Sequence, residues 1–271
     1  MSGPIVVPPG GGEVVGDAPD RRVEILSDFD ALHATWSRFG PGREGADLHI
    51  HRRHTDCFYV LDGTLTLRLG LDDEPVTVAA GSLVRVPPFV VHGFRNASGG
   101  EVHYLNLHAP GRGFADYLRA MRDGRPMTYD QEPPPAEGIV PATEAVVGGA
   151  ESLSEGATLL ADVEELGIAE FRVPAGGRPI PPHAHERHAE WLYVLEGELE
   201  LTAGEDTVRV GAGTWVEIPA GLPHAVAYPV PARSLSLHAP SCGLGAYLRA
   251  RAAGDDEHAA AASSGFDRVP A

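Results

Sequence analysis

Lysine is absent from this sequence of 271 residues, so all 21 of its Lys and Arg positions are arginine. Covalent catalysis through a lysine Schiff base is therefore excluded. Aspartate and glutamate number 38, which gives a formal net charge of −17, and no stripe of arginines opposes that excess. Proteins that bind nucleic acid need clustered cations to displace the counterions of the phosphates. The composition argues against a nucleic-acid partner and favours a small molecule.

Cysteine and long apolar runs are also scarce. The two cysteines, Cys57 and Cys242, lie at positions that do not correspond under the repeat described below, so no disulfide framework is expected. No apolar run approaches the roughly 20 residues that cross a bilayer. The first 20 residues lack the basic start and apolar stretch of a secretory signal. We expect a cytoplasmic protein that does not enter a membrane.

A long internal repeat organises the sequence. Residues 49–63 read HIHRRHTDCFYVLDG and residues 183–197 read HAHERHAEWLYVLEG, at an offset of 134. The sequence LHAP recurs at 107–110 and 237–240, at an offset of 130. A chain of this length suits two domains of about 130 residues. We predict one domain over residues 1–130 and a second over 131–271, divided within the Pro-rich segment QEPPPAEG.

Each half has the pattern of short strands joined by tight turns. An apolar run over 58–61 ends at Asp62-Gly63, and alternation resumes at Thr64, which indicates a hairpin. The second half repeats this pattern over 192–201. Helical spacing of apolar residues predicts one short helix over 114–121 and another from Leu244. The Ala-rich tail from about residue 254 has no apolar period and is expected to be frayed. The fold class is therefore all-β, with a short helix closing each half.

Ten of the 13 histidines form five pairs under the repeat, namely 49/183, 51/185, 54/188, 92/224 and 108/238. In each half a His-x-His pair is followed by a carboxylate and then, in a later strand, by another histidine. Residues i and i+2 of a strand share a face, so the pair points one way and the other two ligands can meet it inside a barrel. Nitrogen and oxygen donors without thiolate suit Fe, Mn, Ni, Co, Cu or Zn. We predict one such metal per half, held by His183, His185, Glu190 and His224 and by His49, His51, Asp56 and His92.

These blocks resemble the two motifs of the cupins. The second half contributes Gly177, His183, His185, Glu190 and Gly197, followed by Gly213, Pro219 and His224. The first half contributes His49, His51, Asp56 and Gly63, followed by Gly81, Pro87, His92 and Asn96. The resemblance covers nearly the whole chain and implies two tandem cupin barrels of the jelly-roll type, each with a metal site.

Departures from the cupin pattern concern mainly the first half. Asp56 replaces the usual glutamate, and Arg43 stands where a glycine would precede the first histidine, whereas the second half has Tyr228 in place of Asn96. Because aspartate is one methylene shorter, it reaches the metal only if its strand lies closer. Otherwise the three histidines bind alone. The second half therefore has the fuller metal motif.

Other residues matched by the repeat receive simpler interpretations. We expect His54 and His188 to have a pocket-mouth or a solvated role and not to bind the metal, and His108 and His238 to bond to the backbone near the barrel rim. The aromatic residues Tyr59, Tyr193 and Trp191 are expected to face outward, where the two barrels could pack. The following side chains are interpreted equally well as pocket lining or as ordinary core: Phe58, Val60, Phe94, Leu192, Val194 and Val226.

The resemblance extends to the quercetinase-like bicupins, which implies a metal-dependent dioxygenase acting on a small enolisable or aromatic molecule. Glu190 would act as general base for a substrate hydroxyl. Two alternatives stay open. One is a metal-dependent decarboxylase or isomerase of a small acid or sugar, in which Arg85 or Arg95 would supply a cation but no acid is evident. The other is a non-catalytic small-molecule-binding cupin. Pairing of the barrels within one chain predicts a monomer or a homodimer.

Overall fold

The computed structural model describes residues 3–71, 74–135, 146–147, 149–153 and 156–270. Contacts divide the chain into two compact units, one formed by Gly12–Gly149 and the other by Met1–Gly11 together with Ala150–Ala271. We call these units the first and the second barrel. Each contains one copy of the sequence repeat, and the predicted all-β class with cupin barrels is confirmed.

The units differ at their ends from the predicted ranges 1–130 and 131–271. The first strand, β1 (Ile5–Val7), pairs with residues 215–217 and so belongs to the second barrel. The first barrel continues past residue 130, because the Ile50 and Glu132 backbones bond to each other. Part of the predicted linker, residues 136–138, lies outside the described residues.

Two antiparallel sheets form the first barrel. Their orders are β11-β8-β5-β10-β4-β3-β2 and β7-β6-β9. The elements of this unit are β2 (Glu13–Ala18), β3 (Arg21–Asp28), β4 (His33–Phe39), β5 (Thr55–Asp62), β6 (Thr64–Leu69), β7 (Glu74–Ala79), β8 (Leu83–Val86), β9 (His92–Arg95), β10 (Val102–Ala109), α1 (Phe114–Arg122) and β11 (Val146–Val147).

The second barrel repeats this plan. Its sheets have the orders β1-β19-β16-β21-β14-β13-β12 and β18-β17-β20-β15-β22. Besides β1, its elements are β12 (Glu151–Ser152), β13 (Ala157–Val163), β14 (Leu166–Val173), β15 (Ile180–Ala184), β16 (Ala189–Glu196), β17 (Glu198–Ala203), β18 (Asp206–Gly211), β19 (Trp215–Ile218), β20 (His224–Ala227), β21 (Ala232–Ala239), α2 (Leu244–Ala252), α3 (Glu257–Ser264) and β22 (Val269–Pro270).

A tight turn at a glycine passes the chain from one sheet to the other in each barrel. Gly63 and Gly197 have φ values of 75° and 74°, a region that side chains other than glycine rarely adopt. A Cβ at Gly63 would lie 2.3 Å from the carbonyl oxygen of Glu101, and one at Gly197 would lie 2.0 Å from that of Pro231. Glycine is therefore required at both positions, as the repeated Asp-Gly and Glu-Gly sequences predict.

Tyr59, Tyr193 and Trp191, which are predicted to face outward from their barrels, are shielded from solvent. Their exposed fractions are 1%, 5% and 0%. All three lie on β5 and β16, which have a neighbouring strand on either side in the seven-stranded sheets. Both faces of these strands are covered, so alternation along the strand does not separate buried from exposed positions.

The tail beyond residue 254 is ordered, which corrects the expectation of fraying. Helix α3 begins after Asp256, whose side chain accepts a hydrogen bond from the Ala259 backbone, and ends at Gly265 in the left-handed region. Alanine has the highest helix propensity, so the run forms a helix without an apolar period. Strand β22 then pairs with β15. The tail thereby becomes part of the second barrel.

Both cysteines are free, Cys57 buried and Cys242 partly buried. Of the helices that the structure describes, none combines the length and apolar character that crossing a bilayer takes.

Candidate metal centres

The second barrel brings together all four of its predicted ligands. His183 on β15 lies opposite His224 on β20 in the antiparallel register, and Glu190 projects from β16. His185 follows β15 directly and shares a face with His183. One ligand atom from each of the four residues lies within 4.8 Å of every other, and all four side chains are buried.

Backbone carbonyls orient the three imidazoles of the second barrel. The Nδ1–H of His183 donates to the Pro181 carbonyl at 2.9 Å, and that of His224 donates to the Leu222 carbonyl at 3.0 Å. His185 donates in the same way to the carbonyl of Asp267. A neutral imidazole carries one N–H, so each Nε2 is left with a lone pair that points into the cluster. Such an outer hydrogen bond is the usual support of a metal-bound histidine.

Electrostatics in this cluster favour a bound cation. Burial lowers the pKa of His183 to about 3, so its imidazole is neutral at pH 7. Burial raises the pKa of Glu190, but the imidazoles of His238, His185 and His224 hold it well below its ordinary value. Oε2 of Glu190 lies 3.2 Å from Nε2 of His185 and 3.0 Å from Nε2 of His224. A proton or a metal ion must separate these acceptors, and the nitrogen and oxygen donor set fits a transition metal.

The first barrel gathers its three histidines in the same way. Nε2 of His49 and Nε2 of His51 lie 3.2 Å apart, and His92 completes a buried group of three. Nδ1 of His49 donates to the Asp47 carbonyl at 2.6 Å, and Nδ1 of His92 donates to the Val90 carbonyl at 2.9 Å. Lone pairs facing each other at this distance repel unless a cation lies between them, so this cluster also fits a metal ion.

Asp56 lies beside the three histidines of the first barrel. Its Oδ2 is 3.3 Å from Nε2 of His92 but 3.8 Å from Nε2 of His51. The second distance exceeds the 3.2 Å between the corresponding atoms of Glu190 and His185. The shorter side chain accounts for the difference. Asp56 falls outside the compact group of three, whereas Glu190 falls inside the group of four.

A series of hydrogen-bonded side chains, which we call the relay, leads away from each carboxylate. In the second barrel, Ser236 Oγ lies 2.9 Å from Glu190 Oε1 and 2.9 Å from His238 Nε2. His238 Nδ1 lies 2.8 Å from His188 Nε2, and His188 Nδ1 lies 3.2 Å from Asp267 Oδ2. Every member of this chain is buried.

The chain of the first barrel has the same course, but it starts at Asp56 in place of Glu190 and has one different member between its two carboxylates. Asn106 donates to Asp56 Oδ1 at 2.5 Å and accepts from His108 Nε2 at 3.1 Å. His108 Nδ1 lies 2.9 Å from His54 Nε2, whose ring reaches Asp130 through Nδ1 at 3.0 Å. Asn106 thus takes the place that Ser236 has in the second barrel.

Two expectations about these histidines are wrong. His54 and His188 are 1% and 2% exposed and are not solvated, because Asp130 and Asp267 cover them. His108 and His238 bond to side chains of the relay and not to the backbone.

Sequence reasoning missed the two aspartates. Each accepts a hydrogen bond from a metal-site histidine through its carbonyl, from a second histidine through its carboxylate, and from a backbone N–H of the loop between those histidines. The available signal was the pattern aromatic-Asp-x-x-Pro, found at 129–133 and again at 266–270.

Each barrel has a cavity at its group of candidate metal ligands. The cavity of the second barrel measures about 540 Å³ and continues from the cluster along Leu192 and Val226. That of the first barrel measures about 320 Å³ and is lined in part by Arg21, Arg43 and Phe94. The remaining side chains of the pocket-or-core set lie in the two hydrophobic cores, namely Phe58, Val60 and Val194.

The Cupin domain model matches residues 35–108 and 169–238, which together make up more than half of the chain. The chain therefore belongs to the cupin family and is a two-domain member of it. A segment of 125 residues is 29% identical to quercetin 2,3-dioxygenase of Bacillus subtilis, covering 44% of this chain and 35% of that protein. The chain thus spans about a third of the length of this relative.

Solved structures with the same fold match most of the chain. Ylba from E. coli has a TM-score of 0.64 at 15% identity, covering 87% of this chain and 90% of that one. Salicylate 1,2-dioxygenase from Pseudoaminobacter salicylatoxidans has a TM-score of 0.60 at 14% identity, covering 87% and 81%. Oxalate decarboxylase from Lactobacillus farciminis has a TM-score of 0.59 at 12% identity, covering 89% and 87%. At these identities the likeness concerns the fold.

Proposed function

We propose that the protein is a metal-dependent dioxygenase that oxidises a small enolisable or aromatic molecule in its second barrel. The observation that carries the proposal is the complete four-ligand cluster of His183, His185, Glu190 and His224 at an open, largely apolar cavity. The similarity to quercetin 2,3-dioxygenase and the fold shared with salicylate 1,2-dioxygenase support it.

The three histidines and Glu190 of the second barrel would hold the metal, and His49, His51 and His92, with Asp56 beside them, would hold one in the first barrel. A divalent transition metal bound there supplies a Lewis acid that polarises a substrate oxygen. The identity of the ion follows from supply as much as from the donors, so the assay below compares Fe, Mn, Ni, Co, Cu and Zn.

Glu190 would accept the proton of a substrate hydroxyl. Four polar contacts connect Glu190 to Asp267 through Ser236, His238 and His188. When both imidazoles are neutral, each of the three side chains between the carboxylates has one hydrogen to donate, so only three of the four contacts can be hydrogen bonds. The chain is thus one hydrogen short and can take up the proton that the substrate loses. A serine hydroxyl can pass a proton along such a chain.

The first barrel lacks this capacity. Asn106 occupies the position of Ser236, and its amide group keeps both of its hydrogens while donating to Asp56. A proton accepted by Asp56 therefore cannot be passed on to His108 through this amide group. This difference is a second reason to assign the chemistry to the second barrel.

Apolar walls beyond the metal cluster would hold the body of the substrate and exclude water from the reacting atoms. Leu192, Val226 and Leu199 line this part of the cavity. Volumes of roughly 300–1,000 Å³ are usual for small-molecule sites, and 540 Å³ falls within that range.

Oxygen uptake tests the proposal. Protein loaded separately with each of the six metals is given a panel of flavonols and hydroxybenzoates under air, and consumption of O2 is measured with an electrode. We expect turnover that is lost in His183→Ala and retained in His49→Ala. Absence of O2 consumption across the panel with every metal would refute the proposed activity.

A kinetic variant tests the role of the relay. Ser236→Asn copies the first barrel into the second and should lower kcat by about 10–1,000-fold, with metal content unchanged, because general-base catalysis contributes about 10²–10⁴-fold. An unaltered kcat would remove the relay from the mechanism.

Decarboxylation of a small acid is the alternative that the fold shared with oxalate decarboxylase keeps in view. The candidate cations for it, Arg85 and Arg95, do not line the cavity of the first barrel, where Arg21 and Arg43 lie instead. Release of CO2 from an acid without net consumption of O2 would favour this activity over the dioxygenase.

A further inference from the structure

Four interior positions of the two barrels carry side chains of very different size. The register of the strands shows which positions of the two barrels are equivalent. Phe58 pairs with Asn106 as Leu192 pairs with Ser236. In the same way Phe39 pairs with Val102 as Val173 pairs with Ala232. The repeat adds two more pairs, so the first barrel has Phe39, Phe58, Phe94 and Tyr104 where the second has Val173, Leu192, Val226 and Ser234.

The four aromatic residues of the first barrel pack against one another. The ring centroid of Phe94 lies 5.0 Å from that of Phe58, 5.9 Å from that of Tyr104 and 6.0 Å from that of Phe39. Phe39 and Tyr104 are themselves 5.4 Å apart in an edge-to-face arrangement. Such contacts are favourable and hold the rings in place. We call these four residues the aromatic plug.

The corresponding positions of the second barrel surround open space. Val173, Leu192, Val226 and Ser234 all line the 540 Å³ cavity that reaches His183 and Glu190. In the first barrel only Phe39 and Phe94 of the plug border the smaller cavity, while Phe58 and Tyr104 lie in the core behind it. The plug therefore occupies in the first barrel the volume that is open in the second.

We infer that Val173, Leu192, Val226 and Ser234 determine which substrate the protein accepts, and that the second barrel alone takes a ligand with a planar apolar body of more than one ring. The inference deepens the proposed function and rests on it in placing the ligand at the metal of that barrel. The first barrel, with its plug and polar lining, admits only small polar ligands.

The chemistry of the lining limits what the ligand can be. His183, Glu190 and Ser236 share the cavity with apolar side chains such as Ile180 and Leu199, and arginines such as Arg178 also line it. A ligand that satisfies both has an oxygen donor at one end, facing Glu190, and rings at the other. This is the shape of a hydroxylated polycyclic aromatic molecule.

Equilibrium binding tests the inference independently of catalysis. Zinc-loaded full-length protein is titrated with 3-hydroxyflavone under nitrogen, and the fluorescence of the probe gives the stoichiometry and Kd. We expect one site per chain. Val226→Phe and Ser234→Tyr each transfer one plug side chain into the second barrel and should weaken binding at least tenfold, with two zinc ions still bound.

The matched control is Phe94→Val in the first barrel, which should leave the Kd of the second-barrel site for 3-hydroxyflavone unchanged. Binding in Val226→Phe and Ser234→Tyr that equals wild type, with zinc content intact, would overturn the inference, as would failure of the wild type to bind the probe. A wild type that binds as expected but consumes no O2 with any metal would refute the dioxygenase and leave the inference standing.

Discussion

Asp267 is expected to control the metal affinity of the second barrel without touching the metal. Its carbonyl holds His185, and its carboxylate accepts from the Arg187 backbone N–H at 2.5 Å and lies 3.2 Å from His188 Nδ1. Burial raises the pKa of Asp267, but backbone hydrogen bonds from Arg187 and Glu186 outweigh it and lower that pKa, so the group is ionised at pH 7. The substitution Asp267→Asn keeps the shape and removes the charge.

The magnitude follows from the bonds that change. Asparagine retains one acceptor oxygen and presents an NH2 group to the other donor, so one charge-assisted hydrogen bond of about 1.5–3 kcal/mol is lost. The segment that carries the Asp267 carbonyl is then less firmly held against His185. Loss of such an outer partner costs about 10–100-fold in metal affinity. Asp267 is a positioning residue, so the effect should appear in the Kd for metal.

A competition titration with a chromophoric chelator measures this effect. In a His49→Ala background only the second-barrel site binds Zn²⁺ strongly, and adding Asp267→Asn should raise its Kd about 10–100-fold. Asp130→Asn, the matched change in the first barrel, should leave that Kd unchanged. If Asp267→Asn keeps the wild-type Kd within a factor of two while its circular dichroism is native, the positioning role is refuted.

Further predictions concern stability. Burial, with a smaller contribution from Arg119, lowers the pKa of His33 to about 3, so the unfolded chain binds a proton below pH 6.5 that the folded chain does not. When the pH falls from 7 to 5, the free energy of unfolding of the wild type, measured by denaturant titration, should therefore decrease by about 2 kcal/mol more than that of His33→Leu. Equal decreases would contradict this pKa. Metal removal with a chelator should lower the calorimetric Tm by several degrees, since a ligand at about 1,000 times its Kd stabilises by about 4 kcal/mol, and a smaller drop is expected in His183→Ala. The hydroxyl of Tyr129 lies 3.2 Å from both His54 Nε2 and His108 Nδ1. Tyr129→Phe, which reproduces the aromatic ring of Phe266, should lower the free energy of unfolding by about 1 kcal/mol in denaturant titration. A decrease above about 3 kcal/mol would contradict this expectation and show that the hydroxyl is essential.

Much of the fold could be predicted because the determinants are local and occur twice. Asp62-Gly63 and Glu196-Gly197 mark the turns, and the apolar periods at 114–121 and from 244 mark helices α1 and α2, which the structure confirms. The histidine clusters could also be predicted, since residues i and i+2 of a strand share a face.

The surroundings of the clusters were harder to predict because they depend on contacts distant in sequence. Asp130 and Asp267 are 76 and 79 residues away from the histidines that they bind. His54 and His188 follow charged residues and so resemble members of a solvated loop, yet the backbone N–H groups of that loop bind the buried aspartates. The sequence favours pocket lining and ordinary core equally for Phe58 and Phe94, and their assembly with Phe39 and Tyr104 depends on the register of four strands.

The pairing of β1 with β19 has a consequence for the order in which the second barrel can be completed. Residues 5–7 are synthesised about 200 residues before their partners at 215–217, an interval of roughly 10–40 s at usual rates of translation. Through that interval the N-terminal segment cannot form its native pairing, while the whole of the first barrel emerges from the ribosome. The second barrel therefore needs both extremities of the described chain, and the two repeats cannot be expressed separately by a single cut near residue 130 without exposing the edge of β19.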